Sequence, residues 1–150
     1  MTDDSAVFLE GRRIARRRLV LRVALWSLAG SSALTGVTAA LVPHVFYTSF
    51  PAGLSWVSKL PPYNQHLVTD VGGFYLAFTL LFAWAAVTLA RPLLVALSVA
   101  WIFVETTHLI YHLFHLDGFD VADAVAQTTG FVLLIALPVV VLLLRDVSND

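Results

Sequence analysis

Histidine is the side chain whose spacing in this sequence most clearly suggests chemistry. Of the five histidines in the chain, His108, His112 and His115 recur at the spacing of one helical face, and Glu105 lies three residues before them. At 100° per residue these four side chains fall within an arc of about 80°, so a helix would carry them as one polar stripe. Neutral imidazoles four residues apart can share a metal ion, and a nearby carboxylate can complete its coordination shell.

Two other segments carry polar groups at matching positions. His66 and Asp70 are four residues apart at the start of another apolar stretch. A third stretch also places four residues within an arc of about 80° of a helix, namely Asp120, Asp123, Gln127 and Gly130. Three helices would therefore present polar faces at a similar depth.

The first hypothesis is a site that holds a divalent metal or a b-type haem, with a binding or redox role. Its predicted ligands are His66, Asp70, His108 and His112. A supporting set, which would orient these ligands or relay protons, comprises Glu105, His44, His115, Asp123 and Gln127. The chain has no cysteine, which excludes an iron–sulfur cluster and a c-type haem.

Two other interpretations of the same residues stay open. A hydrogen-bonded set of His, Asp and Gln side chains can lock a small bundle without any cofactor, as in a structural or accessory subunit that packs against itself or a larger membrane complex. A membrane carboxylate such as Glu105 can also serve a small proton-coupled transporter, although no broken helix or inverted repeat is evident. No serine has a recognisable nucleophile setting near the histidines, so the sequence does not decide whether the protein is an enzyme.

The composition places these polar groups in a membrane. Hydrophobic residues make up 59% of the 150 residues and charged residues 13%, against about 45–50% and about 25% in soluble domains. The mean hydropathy is +0.82, and the net charge of −1 gives no reason to expect a nucleic-acid partner. Four stretches reach the roughly 20 apolar residues that a spanning helix needs, namely 20–42, 71–90, 92–114 and 124–144. We therefore predict an all-α fold, a four-transmembrane-helix bundle forming one integral membrane domain over residues 1–150, with a basic N-terminal segment at 1–19.

The distribution of basic residues predicts the orientation of this bundle. All eight arginines fall on one side of a four-span arrangement, and Lys59 alone falls on the other. Because Lys and Arg are retained in the cytoplasm, both termini are expected there, with a long aromatic outer loop at residues 44–69. The expected location is the plasma (inner) membrane as a multi-pass protein, with the lipid bilayer as its main partner.

Small residues in the first span predict close helix packing. Ser32, Gly36 and Ala40 recur every four residues, which is typical of membrane helices that approach one another closely. A cleaved signal peptide is the alternative interpretation of this span, because it has a basic start, an apolar stretch and small residues near its end. The apolar stretch is longer than is usual in such peptides.

Three segments of the chain are similar to segments of a known group of proteins. They are Pro43-His44-Val45-Phe46-Tyr47, the run from Pro62 to Gly72, and the run from His108 to Asp117. In these segments the chain resembles four-helix membrane proteins of actinobacteria for which no function is established. The resemblance implies that the three segments belong to one site. The architecture is also similar to that of DoxX-like membrane proteins, which is an analogy of fold and carries no activity.

Overall fold

The computed structural model describes residues 3–60 and 62–147, and the side chains of residues 7–60 and 62–146. Within these residues all regular secondary structure is helical, and there is no strand. Its helices are α1 (Asp3–Leu41), α2 (Pro43–Ser49), α3 (Gln65–Thr88), α4 (Arg91–Leu113) and α5 (Val121–Leu144), with short 3₁₀ turns at Val57–Lys59 and Arg145–Val147.

Four of these helices are long and apolar enough to cross a membrane, and they correspond to the four apolar stretches identified in the sequence. Helices α3, α4 and α5 have 23 or 24 residues, so each is about 35 Å long and slightly exceeds the hydrocarbon core of about 30 Å. Pro138 lies inside α5 without ending it. A proline is tolerated there because neighbouring helices can satisfy the backbone groups that it leaves free.

The first helix is longer than the membrane span predicted at 20–42. It begins at Asp3, so it also includes most of the basic segment 1–19. The physical reason is that Arg, Leu and Ala favour helix, while this segment contains no proline and only one glycine, Gly11. All described side chains from residue 7 to residue 20 are exposed, and the packed part of α1 begins at Leu21.

The helices form a ring in which α1 lies between α3 and α5, and α4 closes the ring. The most extensive contacts are between α1 and α3, followed by those between α4 and α5, whereas α3 and α4 touch little. Gly36 and Gly72 account for the close approach of α1 to α3. A Cβ on Gly36 would lie 2.9 Å from the backbone nitrogen of Leu76, and one on Gly72 would lie 2.7 Å from the Cα of Ala40. The predicted small-residue packing stripe is therefore confirmed.

The apolar core fills one end of the ring, which we call the arginine end because Arg22, Arg91 and Arg145 lie close to it in the chain. Its members include Leu21, Leu25, Leu28, Phe82, Leu89, Leu94, Trp101 and Val141. The indole of Trp101 closes the core toward the other end, with the ring of Phe82 edge-on at 5.0 Å and that of Tyr75 edge-on at 5.7 Å. The opposite half of the bundle is packed less fully and contains most of the buried polar groups.

The connection between α1 and α3 differs from the single loop predicted at 44–69. Residues 43–49 form α2, and α3 begins at Gln65, with the Asn64 side chain accepting a hydrogen bond from the Leu67 amide at 3.2 Å. Asn and Asp commonly begin helices in this way. We call residues 43–60 the cap segment, and the end of the bundle that it covers the loop end.

The cap segment is fastened to α5 by an ion pair. Lys59 Nζ lies 2.9 Å from Asp123 Oδ2, and the same ammonium group lies 4.9 Å from the centre of the Phe119 ring. Inside the cap, Phe46 is buried and its ring lies 4.7 Å from that of Phe50. The segment is therefore a folded cover over the loop end.

Candidate binding cavity

A cavity of about 570 Å³ lies in the loop-end half of the bundle, beneath the cap segment. It is lined by residues of α1, α3, α4, α5 and the cap segment. Most of its lining is apolar, and aromatic rings are prominent: Phe46, Phe50, Trp56, Tyr75, Trp101 and Phe131. Its polar lining comprises His108 and His112 of α4, Gln127 of α5, and the hydroxyl side chains of Ser31 and Thr35 of α1.

A series of hydrogen-bonding side chains crosses the bundle beside this cavity. The Tyr75 hydroxyl of α3 donates to Glu105 Oε1 at 3.2 Å, and Glu105 Oε2 lies 4.0 Å from Nδ1 of His108. Nε2 of His108 lies 3.1 Å from Nε2 of His112, and Nδ1 of His112 lies 2.8 Å from Gln127 Oε1. We call these five residues the polar chain. It joins α3, α4 and α5 across the half of the bundle that has least apolar packing.

The donors and acceptors in the polar chain can be assigned in sequence. Because the Gln127 oxygen only accepts, a neutral His112 carries its proton on Nδ1, and its Nε2 is then the acceptor. Nε2 of His108 must then carry a proton and donate it to His112. Nδ1 of His108 is left as an acceptor facing the Glu105 carboxyl group. One proton between Glu105 and His108 would complete an alternating series from Tyr75 to Gln127.

Four buried polar atoms at this site have no hydrogen-bond partner among the described residues. They are Nε1 of Trp56, Nε1 of Trp101, Nε2 of Gln127 and Oε2 of Glu105. The side chains of Trp101, Gln127 and Glu105 are exposed by only 1%, 3% and 0% respectively. Trp101 and Gln127 also line the cavity. Leaving a buried N–H donor, such as those of Trp101 and Gln127, without a hydrogen bond costs about 1–3 kcal/mol. A ligand that offers acceptor atoms would remove part of that cost.

The structure brings together four of the residues selected from the sequence. His108 and His112 are adjacent on α4, with Glu105 on one side and Gln127 on the other. Only His112, Glu105 and Gln127 are buried. These four residues form one connected group with Tyr75.

The structure does not bring His66 and Asp70 to this group. They pair with each other at 3.4 Å on the first turns of α3, where their side chains are 83% and 49% exposed, and neither lines the cavity. The reason is the rotation of α3, which turns Gly72 toward α1 and Tyr75 toward Glu105.

The remaining predicted residues lie around the rim of the loop end. His44 meets the ring of Tyr63 edge-on at 5.7 Å. His115 is exposed, stacks on the ring of Tyr111 at 4.0 Å, and its Nδ1 hydrogen-bonds with the backbone carbonyl of Tyr111 at 2.8 Å. The carboxylate of Asp123 forms an ion pair with Lys59. These three predicted supporting residues therefore have partners outside the polar chain.

The described residues contain no group of three or more His, Cys, Asp or Glu side chains arranged to hold a metal ion. His108 and His112 also lie on the same helix and hydrogen-bond with each other. A bis-histidine haem needs two imidazoles on opposite faces of the iron, and these two side chains are not arranged in that way.

Three residues of the site were not selected from the sequence: Tyr75, Trp101 and Phe131. The Phe131 ring lies 4.6 Å from that of His108 and 4.7 Å from that of His112. Trp101 precedes Glu105 by four residues and so belongs to the same helical face. That spacing could have identified it. Tyr75 was harder to identify from the sequence. Gly72, three residues earlier, is the one residue that indicates which face of α3 packs inward.

Comparison of the chain with protein-family models, with curated proteins and with solved structures finds no match. The function proposed below therefore rests on the residues of the site alone.

Proposed function

We propose that this membrane protein binds a small, mostly apolar molecule that carries hydrogen-bond acceptor oxygens, and that it binds this molecule in the cavity of the loop end. The observation that carries the proposal is the presence, in the wall of a mostly apolar cavity, of buried N–H groups that have no hydrogen-bond partner among the described residues, chiefly those of Trp101 and Gln127. The volume of about 570 Å³ lies within the range of about 300–1,000 Å³ typical of ligand pockets.

The chemistry of the lining defines the class of ligand. The aromatic and aliphatic side chains of the cavity favour a molecule that partitions into the bilayer. Inside the cavity these side chains take the place of the lipid chains that surround such a molecule in the membrane. The indole N–H of Trp101 and the amide N–H of Gln127 donate only. Carbonyl, ester or ether oxygens therefore suit them, whereas a ligand with only donor groups would leave both unpaired.

The test compares two probes of almost the same shape. The purified protein in detergent is titrated with 1,4-naphthoquinone, which has two carbonyl oxygens, and with naphthalene, which has none. Calorimetry or thermal stabilisation reports binding. We expect the quinone to bind at least tenfold more tightly than the hydrocarbon, because one net hydrogen bond contributes about 1 kcal/mol and the two donors are otherwise left unpaired. Equal affinities would contradict the proposal.

Matched variants locate the effect in the cavity. Gln127→Leu and Trp101→Phe each remove one donor, and each should weaken binding of the quinone without weakening that of naphthalene. Gln65→Leu is the control, because Gln65 is exposed at the start of α3. If the Gln127 variant fails to fold, the Trp101 variant still decides, since it keeps an aromatic ring in the core. Unchanged quinone binding in the Trp101→Phe protein would place any binding elsewhere.

A second candidate function is metal binding by His108 and His112. It is favoured by the 3.1 Å between their Nε2 atoms, which is close to the roughly 3.3 Å that two nitrogens span when they share one tetrahedral zinc ion. The Gln127 oxygen and the Glu105 carboxyl group would then face the other ring nitrogens, as the outer partners of metal-bound histidines do. The remaining ligands would have to come from outside the described groups.

Metal analysis after incubation with zinc or copper tests this second function. His108→Ala and His112→Ala should each abolish metal retention, while His115→Ala should retain it. If the wild-type protein binds neither metal nor quinone, and the first two substitutions only lower its melting temperature, the polar chain is a cofactor-free lock. The hypothesis of an accessory subunit in a larger complex would then be preferred.

A further inference from the structure

A second cleft lies at the arginine end, at the point where α1 leaves the bundle. It has a volume of about 320 Å³ and is lined by Arg13, Arg16, Arg17, Val20 and Leu144. The four residues from α1 are spaced i, i+3, i+4 and i+7, so they share one face of the helix. Leu144 is contributed by the end of α5. The cleft therefore combines three guanidinium groups with two apolar side chains.

The depth of this cleft matches the headgroup layer of a bilayer. The packed part of α1 begins at Leu21, which is fully buried. Arg16 and Arg17 precede it by five and four residues, or about 6–7.5 Å along the helix axis. The polar layer on each side of a bilayer is about 5–7.5 Å thick. Val20 lies between these arginines and the core, at the boundary of the hydrocarbon.

Among the side chains that the structure describes, no acidic group pairs with the two arginines at the centre of the cleft. Glu10 approaches Arg13 at 4.0 Å, and Asp146 pairs with Arg91 at 3.3 Å. Neither Arg16 nor Arg17 forms an ion pair with any acidic side chain that the structure describes. Guanidinium groups bind phosphate oxygens in a bidentate manner, so an anionic phosphate group is the ligand that this pair fits.

We propose that this cleft is a binding site for an anionic phospholipid. The phosphate group lies between Arg16 and Arg17, and an acyl chain lies against Val20 and Leu144. A free phosphate ion would use the two arginines but would gain nothing from the apolar side chains. The site is independent of the cavity at the loop end, because it lies at the opposite end of the bundle.

The test measures lipid binding to the full chain in detergent by native mass spectrometry. The probes are dioleoylphosphatidylglycerol, dioleoylphosphatidylcholine and inorganic phosphate. We expect the anionic lipid to bind more tightly than the zwitterionic one. Arg16→Gln/Arg17→Gln should weaken its binding by about 30-fold, at roughly fivefold for each basic residue near an anionic surface.

The matched control is Arg18→Gln/Arg22→Gln, which removes the same charge from the opposite face of α1. This control should retain binding within about threefold. Equal loss in both double variants would overturn the proposal, because it would mean that the basic residues attract lipid without a site. Equal binding of the two lipids would also overturn it, as would displacement of the lipid by millimolar inorganic phosphate. Circular dichroism and size-exclusion chromatography establish that both variants are folded.

Discussion

The contact between α1 and α3 leads to the sharpest prediction about stability. Gly72 lies where the two helices are closest. A Cβ at this position would lie 2.7 Å from the Cα of Ala40 and 2.8 Å from the carbonyl carbon of Ala39, and it would be closer still to the Ala40 nitrogen. These neighbours are backbone atoms, so a change of side-chain rotamer cannot relieve the steric overlap. Gly72→Ala should therefore push the two helices apart.

The magnitude follows from the distances. The Ala40 Cα has to move by about 0.7 Å or more to reach the 3.4 Å at which ordinary van der Waals contact begins. Overpacking of this kind typically costs about 1–3 kcal/mol. Gly73 is the matched control, since it is the next residue of the same helix and a Cβ there would meet nothing within 4 Å. Gly73→Ala should be neutral or should stabilise the helix by up to about 1 kcal/mol.

The assay is reversible unfolding in mixed micelles with increasing sodium dodecyl sulfate, followed by tryptophan fluorescence. The free energies of unfolding of the two variants should differ by about 1–4 kcal/mol, in favour of Gly73→Ala. If both substitutions have the same effect, the close approach of α1 to α3 does not exist in the folded protein, and the explanation given for the orientation of α3 is wrong.

Three further predictions concern α1 and the topology. Gly36→Leu should lower the melting temperature in detergent far more than Val37→Leu, because Gly36 is buried against Leu76 whereas Val37 is 44% exposed; equal effects would indicate that the small-residue stripe faces lipid. Ser32→Ala should be neutral or stabilising, because it removes a fully buried hydroxyl that has no partner among the described residues; a clear loss of stability would mean that the hydroxyl is hydrogen-bonded in the membrane. Cysteines introduced at residue 11 in α1 and residue 54 in the cap segment should react with an impermeant thiol reagent from opposite sides of the membrane, and labelling from one side would refute the predicted orientation.

The sequence by itself was sufficient to predict the four spanning helices and the polar face of α4. Apolar runs of about 20 residues and the lack of water in hydrocarbon leave the backbone no alternative to helix, and this requirement is local. The shared face of Glu105, His108 and His112 depends only on the helical repeat. The start of α1 at Asp3 and the helix α2 in the cap segment were not predicted, because hydropathy marks where a helix can be buried and not where it begins.

Only the tertiary structure decided which groups meet this face. His66 and Asp70 have the same spacing as His108 and His112, and nothing in their local sequence separates the two pairs. The separation comes from the packing of Gly72 on α1, which turns Tyr75 toward Glu105 and leaves His66 and Asp70 exposed. The rotation of a helix about its axis depends on the contacts that it makes with another helix. The sequence of one helix can define its polar face, but it does not show which residues of the neighbouring helices pack against that face.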